Sequence, residues 1–460
     1  MIAASDNPPS KLILWITTLA SFMTAFMGSS INIALPVIGD EFNANALLLS
    51  WLSTAYIVTT AALLLPVGKL TDLYGRTKFF KWGVILFTSG SILSAVSFNT
   101  IMLLIFRVIQ GIGSSFIFSC STAILVSVFP LSQRGRVLGI NTAAVYTGLS
   151  SGPFLGGLIT QNLNWRGIFY INALLGIALI VFNSVYLKHE WQEFDDHKYD
   201  YKGAAIYILS IILLMISVSL FPEPAGFLLL AISILSFMML YSIESKTSHP
   251  IFNILLFRSN KTFTMSNTAA LINYSATFAI SFLMSFYLQS VKMLNPEDAG
   301  IILITQPVMQ ALFSPLSGRL SDKTEPGYVA SAEMGLLTIG LIVFCFLSKE
   351  TSYIIIVGNL AMMGFGFALF SSPNVNAIMS SVEQRFYGVA SSTLASMRMI
   401  GQMVSMGIVI IIISVFIGSE KISAANQDAF LTSLRTAFIL FSLLCFLGVF
   451  ASLARGKVHK

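Results

Sequence analysis

An all-helical integral membrane protein built from two related halves is the fold class that this sequence predicts, and three observations predict it. The chain of 460 residues is 55% hydrophobic and only 10% charged, with a mean hydropathy of +0.82. A soluble domain carries about 25% charged residues. The apolar residues gather in fourteen runs, each near the roughly 20 residues that a helix needs to cross a bilayer. Finally, the charged, glycine-bearing loop Gly68-Lys69-Leu70-Thr71-Asp72-Leu73-Tyr74-Gly75-Arg76, between two long apolar runs, has an echo 250 residues later, in Gly318-Arg319-Leu320-Ser321-Asp322. A repeated segment of this kind marks two halves that rock against each other, with the segments as hinges and latches on one membrane face.

The runs, in order, are approximately 12–36, 48–67, 79–97, 101–129, 137–160, 165–187, 203–221, 225–244, 263–289, 298–318, 328–347, 353–376, 388–417 and 432–454. The longer ones imply tilt or an extra turn outside the bilayer. An even number puts both termini on one side, and the basic residues say which. With the N-terminus in the cytoplasm, 19 of the 26 Lys and Arg lie in inside segments, among them Lys69, Arg76, Lys78, Lys81, Arg134, Arg136, Arg258 and Lys261. Five lie outside (Arg166, Lys292, Lys349, Lys421 and Arg435), and Arg107 and Arg398 fall within runs. That asymmetry places both termini in the cytoplasm.

The most polar connection, Lys188 to Lys202, follows the sixth run and reads as a solvated linker between the halves. An offset of 250 residues is long for a plain six-plus-six repeat, and runs 7 and 8 account for the excess. The expected organisation is therefore a six-helix bundle over 1–187, a charged linker over 188–202, two extra helices with a connector over 203–262, and a second six-helix bundle over 263–460.

Several function classes drop out. Cys120, Cys345 and Cys445 fall inside apolar runs and read as small buried side chains, not as a disulfide framework. His189, His197, His249 and His459 lie outside the runs, so no metal or cofactor site is expected. The net charge of +6 is spread along loops and does not point to nucleic acid. No nucleophile–base or metal constellation marks an enzyme. The first run is too long for a cleavable signal and lacks a small-residue cleavage site.

The motif residues have physical readings of their own. Gly68 and Gly75 suit a tight turn and close helix approach. Asp72 suits a helix N-terminus, or a pair with Arg76, and such a charge latch can hold one conformation and release another. Arg107, in the middle third of run 4, must face protein or a water cavity, because a buried arginine in lipid is expensive. Gly148, Gly152 and Gly156 recur on one face of run 5 and permit close packing, while Pro153 kinks the helix.

Taken together, these residues resemble the major facilitator superfamily, and within it the 14-helix drug:proton antiporter branch. The resemblance rests on Gly68–Arg76; on Arg107, Gln110, Gly111 and Gly113 in run 4; on Gly148, Gly152, Pro153, Gly156 and Gly157 in run 5; and on Trp165, Arg166, Phe169 and Asn172 opening run 6. His249-Pro250 to Leu256-Phe257-Arg258, Tyr287-Leu288-Gln289, and Arg398 with Gly401-Gln402 extend it, over about residues 25–405. It implies a monomer in the cytoplasmic membrane that exports small hydrophobic or amphipathic compounds by alternating access in exchange for protons. Gly68, Asp72, Gly75, Arg76, Gly318 and Asp322 would then form the gating segments. Arg107 would tune coupling, and the glycine face of run 5 would seal the path.

The chain departs from the branch at one informative place. Five residues before Asn32, where the branch carries an Asp in the first helix, stands Met27. The replacement carboxylates to consider are Asp40 and Glu41, beyond the outer end of run 1, and Glu333, well inside run 11 and within reach of the loop bearing Lys323. Run 11 is expected to be a peripheral support helix, not a cavity wall. Candidate cavity residues are Asn32, Tyr56, Asn141, Tyr146, Asn273, Gln306, Asn374, Arg398 and Gln402, with Trp51, Tyr274 and Gln310 beside them. Arg107 and Arg398 without a nearby carboxylate would favour neutral, zwitterionic or anionic amphipaths. Two other readings stay open: an uncoupled or weakly coupled exporter of a specific metabolite or lipid, and a membrane sensor that moves no solute.

Overall fold

The computed structural model describes residues 10–187, 189–191, 199–247, 250–251, 254–321, 326–383, 386–418, 420–422 and 426–454. Their regular structure is helical throughout. The first bundle holds α1 (Ser10–Phe42), α2 (Ala46–Tyr74), α3 (Arg76–Ala95), α4 (Thr100–Val128), α5 (Leu131–Leu163) and α6 (Arg166–Tyr186). A hairpin of α7 (Tyr201–Ser219) and α8 (Pro224–Glu244) follows, then the short α9 (Ile254–Ser259). The second bundle begins with α10 (Lys261–Thr277), α11 (Ala279–Phe286) and a π-helical turn, Tyr287–Val291, in one run. It continues through α12 (Pro296–Leu303), α13 (Thr305–Ser321), α14 (Pro326–Phe344), α15 (Tyr353–Ser380), α16 (Tyr387–Phe416) and α17 (Gln427–Leu453).

Eleven of these runs are long and apolar enough to span a bilayer. The other three predicted runs, 79–97, 137–160 and 298–318, fall on α3, α5 and α12–α13. The break between α12 and α13 has a local cause: Pro307 has no N–H to donate to the carbonyl of Leu303. Asparagines cap several helix starts, which satisfies backbone donors that lipid cannot. The side chains of Asn45, Asn99, Asn260 and Asn295 accept from the N–H groups of Leu48, Met102, Phe263 and Asp298.

Two sequence expectations are corrected here. Gly68 to Leu73 is not a loop. It is the last turns of α2, which run on to Tyr74, and the only interruption before α3 is Gly75 at φ +112°. Gly318 likewise lies within α13, and its partner Asp322 lies outside the described residues. Nor is the described part of the 188–202 linker simply solvated. Both Glu190 carboxylate oxygens accept from the first N–H groups of α3, Thr77 at 2.7 Å and Lys78 at 3.1 Å. A negative charge at a helix N-terminus is favoured by the exposed N–H groups and the helix dipole. Farther on, the Tyr199 hydroxyl donates to the Pro66 carbonyl at 3.0 Å, and burial, with Tyr201 and Asp200 nearby, pushes that phenol up to about 12.

The α7–α8 hairpin touches both bundles. The Tyr207 hydroxyl donates to the Ala61 carbonyl of α2, and Met215 and Val218 pack over Gly407 of α16. The Ser414 hydroxyl of α16 donates to the Phe221 carbonyl at 2.7 Å. The hairpin therefore covers the seam along which α2 and α16 meet.

A candidate substrate cavity between the two bundles

Consider first the side away from the linker. There the two bundles are joined. Ser285 donates to the Asn32 carbonyl at 2.9 Å, Gln289 to the Ile33 carbonyl at 2.8 Å, and the Ala46 N–H to the Glu420 carbonyl at 3.1 Å. The glycines of α5 divide their work. Gly148, Gly152 and Gly156 face α1, where an added Cβ would run into the backbone of Phe22 or Ser30 or the side chain of Ser29. Gly157 instead faces the other bundle, against the Pro296 carbonyl and the Gly300 Cα of α12, and Gly300 rests in turn on the Pro153 carbonyl. Small residues let the two backbones touch and seal this face.

Toward the linker side α5 and α13 part. A cavity of about 900 Å³ opens between α5, α13, α15 and the start of α16, lined on α5 by Thr142, Tyr146, Thr147 and Ser150 and opposite by Pro307, Gln310, Ser314 and Asn376. It narrows into an inner chamber of about 120 Å³ lined by Asn32, Asn273, Tyr274, Phe278, Ser281, Gln306, Phe367 and Gln402. Tyr146, Ser150, Pro307 and Gln310 line both. At the neck the Tyr146 and Tyr274 hydroxyls meet at 2.6 Å across the bundle interface.

Of the sequence candidates, Asn32, Tyr146, Asn273, Gln306 and Gln402 line the chambers. Tyr56, Asn141, Asn374 and Arg398 line neither, though all four are buried. Tyr56 is turned into the first bundle, donating to the Thr24 carbonyl and meeting Ser114, each at 2.8 Å. Arg398 lies over Phe118 of α4. Arg107 also stays out of the chambers. It is fully buried, donates to the Leu52 carbonyl at 3.1 Å and to Gln110 at 2.7 Å, and covers the Tyr56 ring at 4.4 Å. These contacts tie α4 to α2, and Gln110 passes the tie to Ser91 of α3. The expectation that two arginines sit in the cavity is corrected, since neither Arg107 nor Arg398 lines a chamber, and no charged side chain does so among the described residues.

The carboxylate candidates separate clearly. Asp40 is exposed, and Glu41 is held at the sealed face by Arg166 at 2.7 Å and the Trp165 indole N–H at 2.6 Å. Asp72 pairs with Arg76 at 2.6 Å, and Arg76 reaches Ser127 of α4 at 2.6 Å. Lys323 lies outside the described residues. Glu333 of α14 is fully buried, and its Oε1 accepts from the Asn273 amide at 2.7 Å. Its helix is peripheral, yet one hydrogen bond links it to a residue of the inner chamber. Sequence reasoning found Tyr146 but missed the hydroxyls of Thr142, Thr147 and Ser150 beside it on α5 and the aromatic wall of Phe278, Phe367 and Phe370. Thr142, Tyr146 and Ser150 do recur every fourth residue, which was the available signal.

Two six-helix bundles around a central cavity, sealed on one face and open on the other, define a multi-pass membrane transporter. The comparisons with known proteins agree. The family model for the Major Facilitator Superfamily matches residues 17–272 and again 267–459. The chain belongs to that superfamily. It is 30% identical over 387 residues to the riboflavin transporter RibZ of Clostridioides difficile, covering 84% of each chain. It is 27% identical over 413 residues to the multidrug resistance protein Stp of Mycobacterium tuberculosis, covering 87% of this chain and 75% of that one. Its fold matches an inward-facing, unoccupied bacterial homologue of the human lysosomal transporter Spinster with a TM-score of 0.67 at 15% identity, over 97% of both chains.

Proposed function

We propose that the protein exports small, uncharged hydrophobic or amphipathic compounds across the cytoplasmic membrane by alternating access, in exchange for protons carried by Glu333. The linker face is the cytoplasmic face, as the excess of Lys and Arg on that side requires, and the cavity is open to the cytoplasm. The observation that carries the reading is the hydrogen bond between buried Glu333 and Asn273 at the wall of the inner chamber.

A carboxylate inside the membrane is costly when ionised, and it marks a proton pathway by default. The bond to Asn273 gives that proton a route to the substrate. An ionised Glu333 can only accept, so Asn273 turns its NH2 to the carboxylate and its carbonyl to the chamber. A protonated Glu333 gains an O–H to donate, and when Asn273 accepts it the amide turns its carbonyl toward Glu333 and its NH2 to the chamber. Proton and substrate thereby ask for opposite orientations of one amide, which is the differential affinity that coupled transport needs. In this scheme Gly157 and Gly300 form the outer seal. Asp72, Arg76 and Glu190 hold the cytoplasmic ends of α2, α3 and α4 together, and Arg107 serves as the strut of the first bundle.

The test is dissipation of an imposed pH gradient in inside-out vesicles on adding neutral drugs. Wild type should release protons, and Glu333→Gln should not, while still exchanging labelled drug for unlabelled drug. Proton release that survives in Glu333→Gln would remove Glu333 from the scheme. A second reading, an uncoupled exporter of one metabolite, is favoured by Met27 and by the likeness to a protein named a riboflavin transporter. Drug flux without proton movement in wild type would select it.

A further inference from the structure

We infer that the substrate is an uncharged planar ring system bearing an imide edge, two carbonyls flanking one N–H, and that Asn32, Asn273 and Gln402 read that edge. This rests on the inner chamber being the substrate site. Three helices, α1, α10 and α16, each send one carboxamide to this chamber, and all three residues are almost fully buried. Each leaves one polar atom without a hydrogen-bond partner: Asn32 Nδ2, Asn273 Oδ1 and Gln402 Nε2. The orientations are set from behind. Ser53 donates to Asn32 Oδ1 at 2.8 Å, which leaves the Asn32 NH2 free, and Glu333 takes the Asn273 NH2, which leaves its carbonyl free.

These three carboxamides therefore offer two donors and one acceptor, the complement of two carbonyls and one N–H, and the Ser281 hydroxyl on the same wall, also unpartnered, can donate or accept beside them. Leaving such groups buried and unmatched is costly, so a ligand that lacks the partners is rejected. An alkyl chain matches none of them. Among the described residues, a cation finds no carboxylate on the wall, and an anion no arginine. The ring body has aromatic faces to lie against in Tyr274, Phe278 and Phe367. The inner chamber, at about 120 Å³, holds only the polar edge, and the remaining rings extend past Tyr146 into the chamber of about 900 Å³.

The experiment uses the purified full-length protein in detergent and two probes, lumiflavin, an uncharged tricyclic imide, and its N3-methyl derivative, which lacks the N–H. Binding is read by flavin fluorescence. Lumiflavin should bind, and the N-methyl probe should bind at least about tenfold more weakly, because it leaves Asn273 Oδ1 unmatched. Asn273→Leu should bind both probes alike, and Gln402→Leu should weaken both. The wild-type comparison of the two probes needs no variant to fold. No lumiflavin binding, or equal binding of the two probes, overturns the inference. Drug-driven proton release persisting beside that result would leave the coupling reading intact. Imide-selective binding in a protein that moves no protons would remove the coupling and keep the imide site.

Discussion

Gly157→Ala should shift the protein away from the state described here. A Cβ at this position would sit 3.2 Å from the Pro296 carbonyl carbon and 3.3 Å from the Gly300 Cα, with the Pro296 oxygen nearer still. Ordinary carbon contacts lie at roughly 3.5–4.0 Å, so α5 and α12 must part by up to about 1 Å. Overpacking of this kind costs about 1–3 kcal/mol. The contact joins the two bundles, and in the proposed alternating-access cycle it exists only while the face away from the linker is sealed, so its cost falls on one state alone. The equilibrium between the two states should therefore move about 5- to 150-fold toward the outward-open form. Thr142→Cys, on the cavity wall, reports this through its reaction with an impermeant maleimide added from the linker side. The three native thiols are buried and do not compete. Labelling should fall in Gly157→Ala, by no more than the factor by which the equilibrium moves. Gly152→Ala is the control: its Cβ meets Ser29 within the same bundle, a contact shared by both states, so it should lower stability without changing labelling. Unchanged labelling in a folded Gly157→Ala protein would refute the assignment of this contact to the outer seal.

Other outcomes follow from the same geometry. Arg107→Leu removes two hydrogen bonds and the cover over Tyr56 and leaves Gln110 Oε1 without its Arg107 partner, and it should lower stability by about 2–4 kcal/mol in denaturant titration, a loss that Arg107→Lys only partly restores. Glu190→Ala removes the cap of α3, a change worth about 0.5–2 kcal/mol at a helix N-terminus, and should speed proteolysis within 188–202 without touching substrate binding. Glu41→Gln breaks a pair at the sealed outer face, far from the chambers, and should leave the pH dependence of transport as in wild type.

The sequence was legible where a residue type has only one physical use in lipid. Glycines every fourth residue of α5 had to be a packing face, and Gly148, Gly152 and Gly156 are one against α1. Buried amides had to face protein, and Asn32, Asn273 and Gln402 face the inner chamber. What the sequence could not tell was which interior each polar group faces. Tyr56 and Arg107 are as buried as any chamber residue, yet they point into the first bundle. Helix periodicity does not decide this, because lipid-facing and core-facing sides are both apolar. The ends of α2 and α13 were misread as loops because glycine and charge usually signal a turn, whereas here the helix simply continues beyond the bilayer. Glu190 was hidden for the opposite reason, since a charge run shows no sign of the helix end it will cap.

The central claim is that proton and substrate compete through Glu333 and Asn273. Its most direct measurement is the proton balance of binding in purified protein, followed with a pH indicator in weakly buffered solution as a neutral transported drug is added. At a pH low enough to protonate Glu333 in the drug-free protein, wild type should release up to about one proton per drug bound, by linkage, and Glu333→Gln none. Drug binding in wild type without proton release at any pH would contradict it.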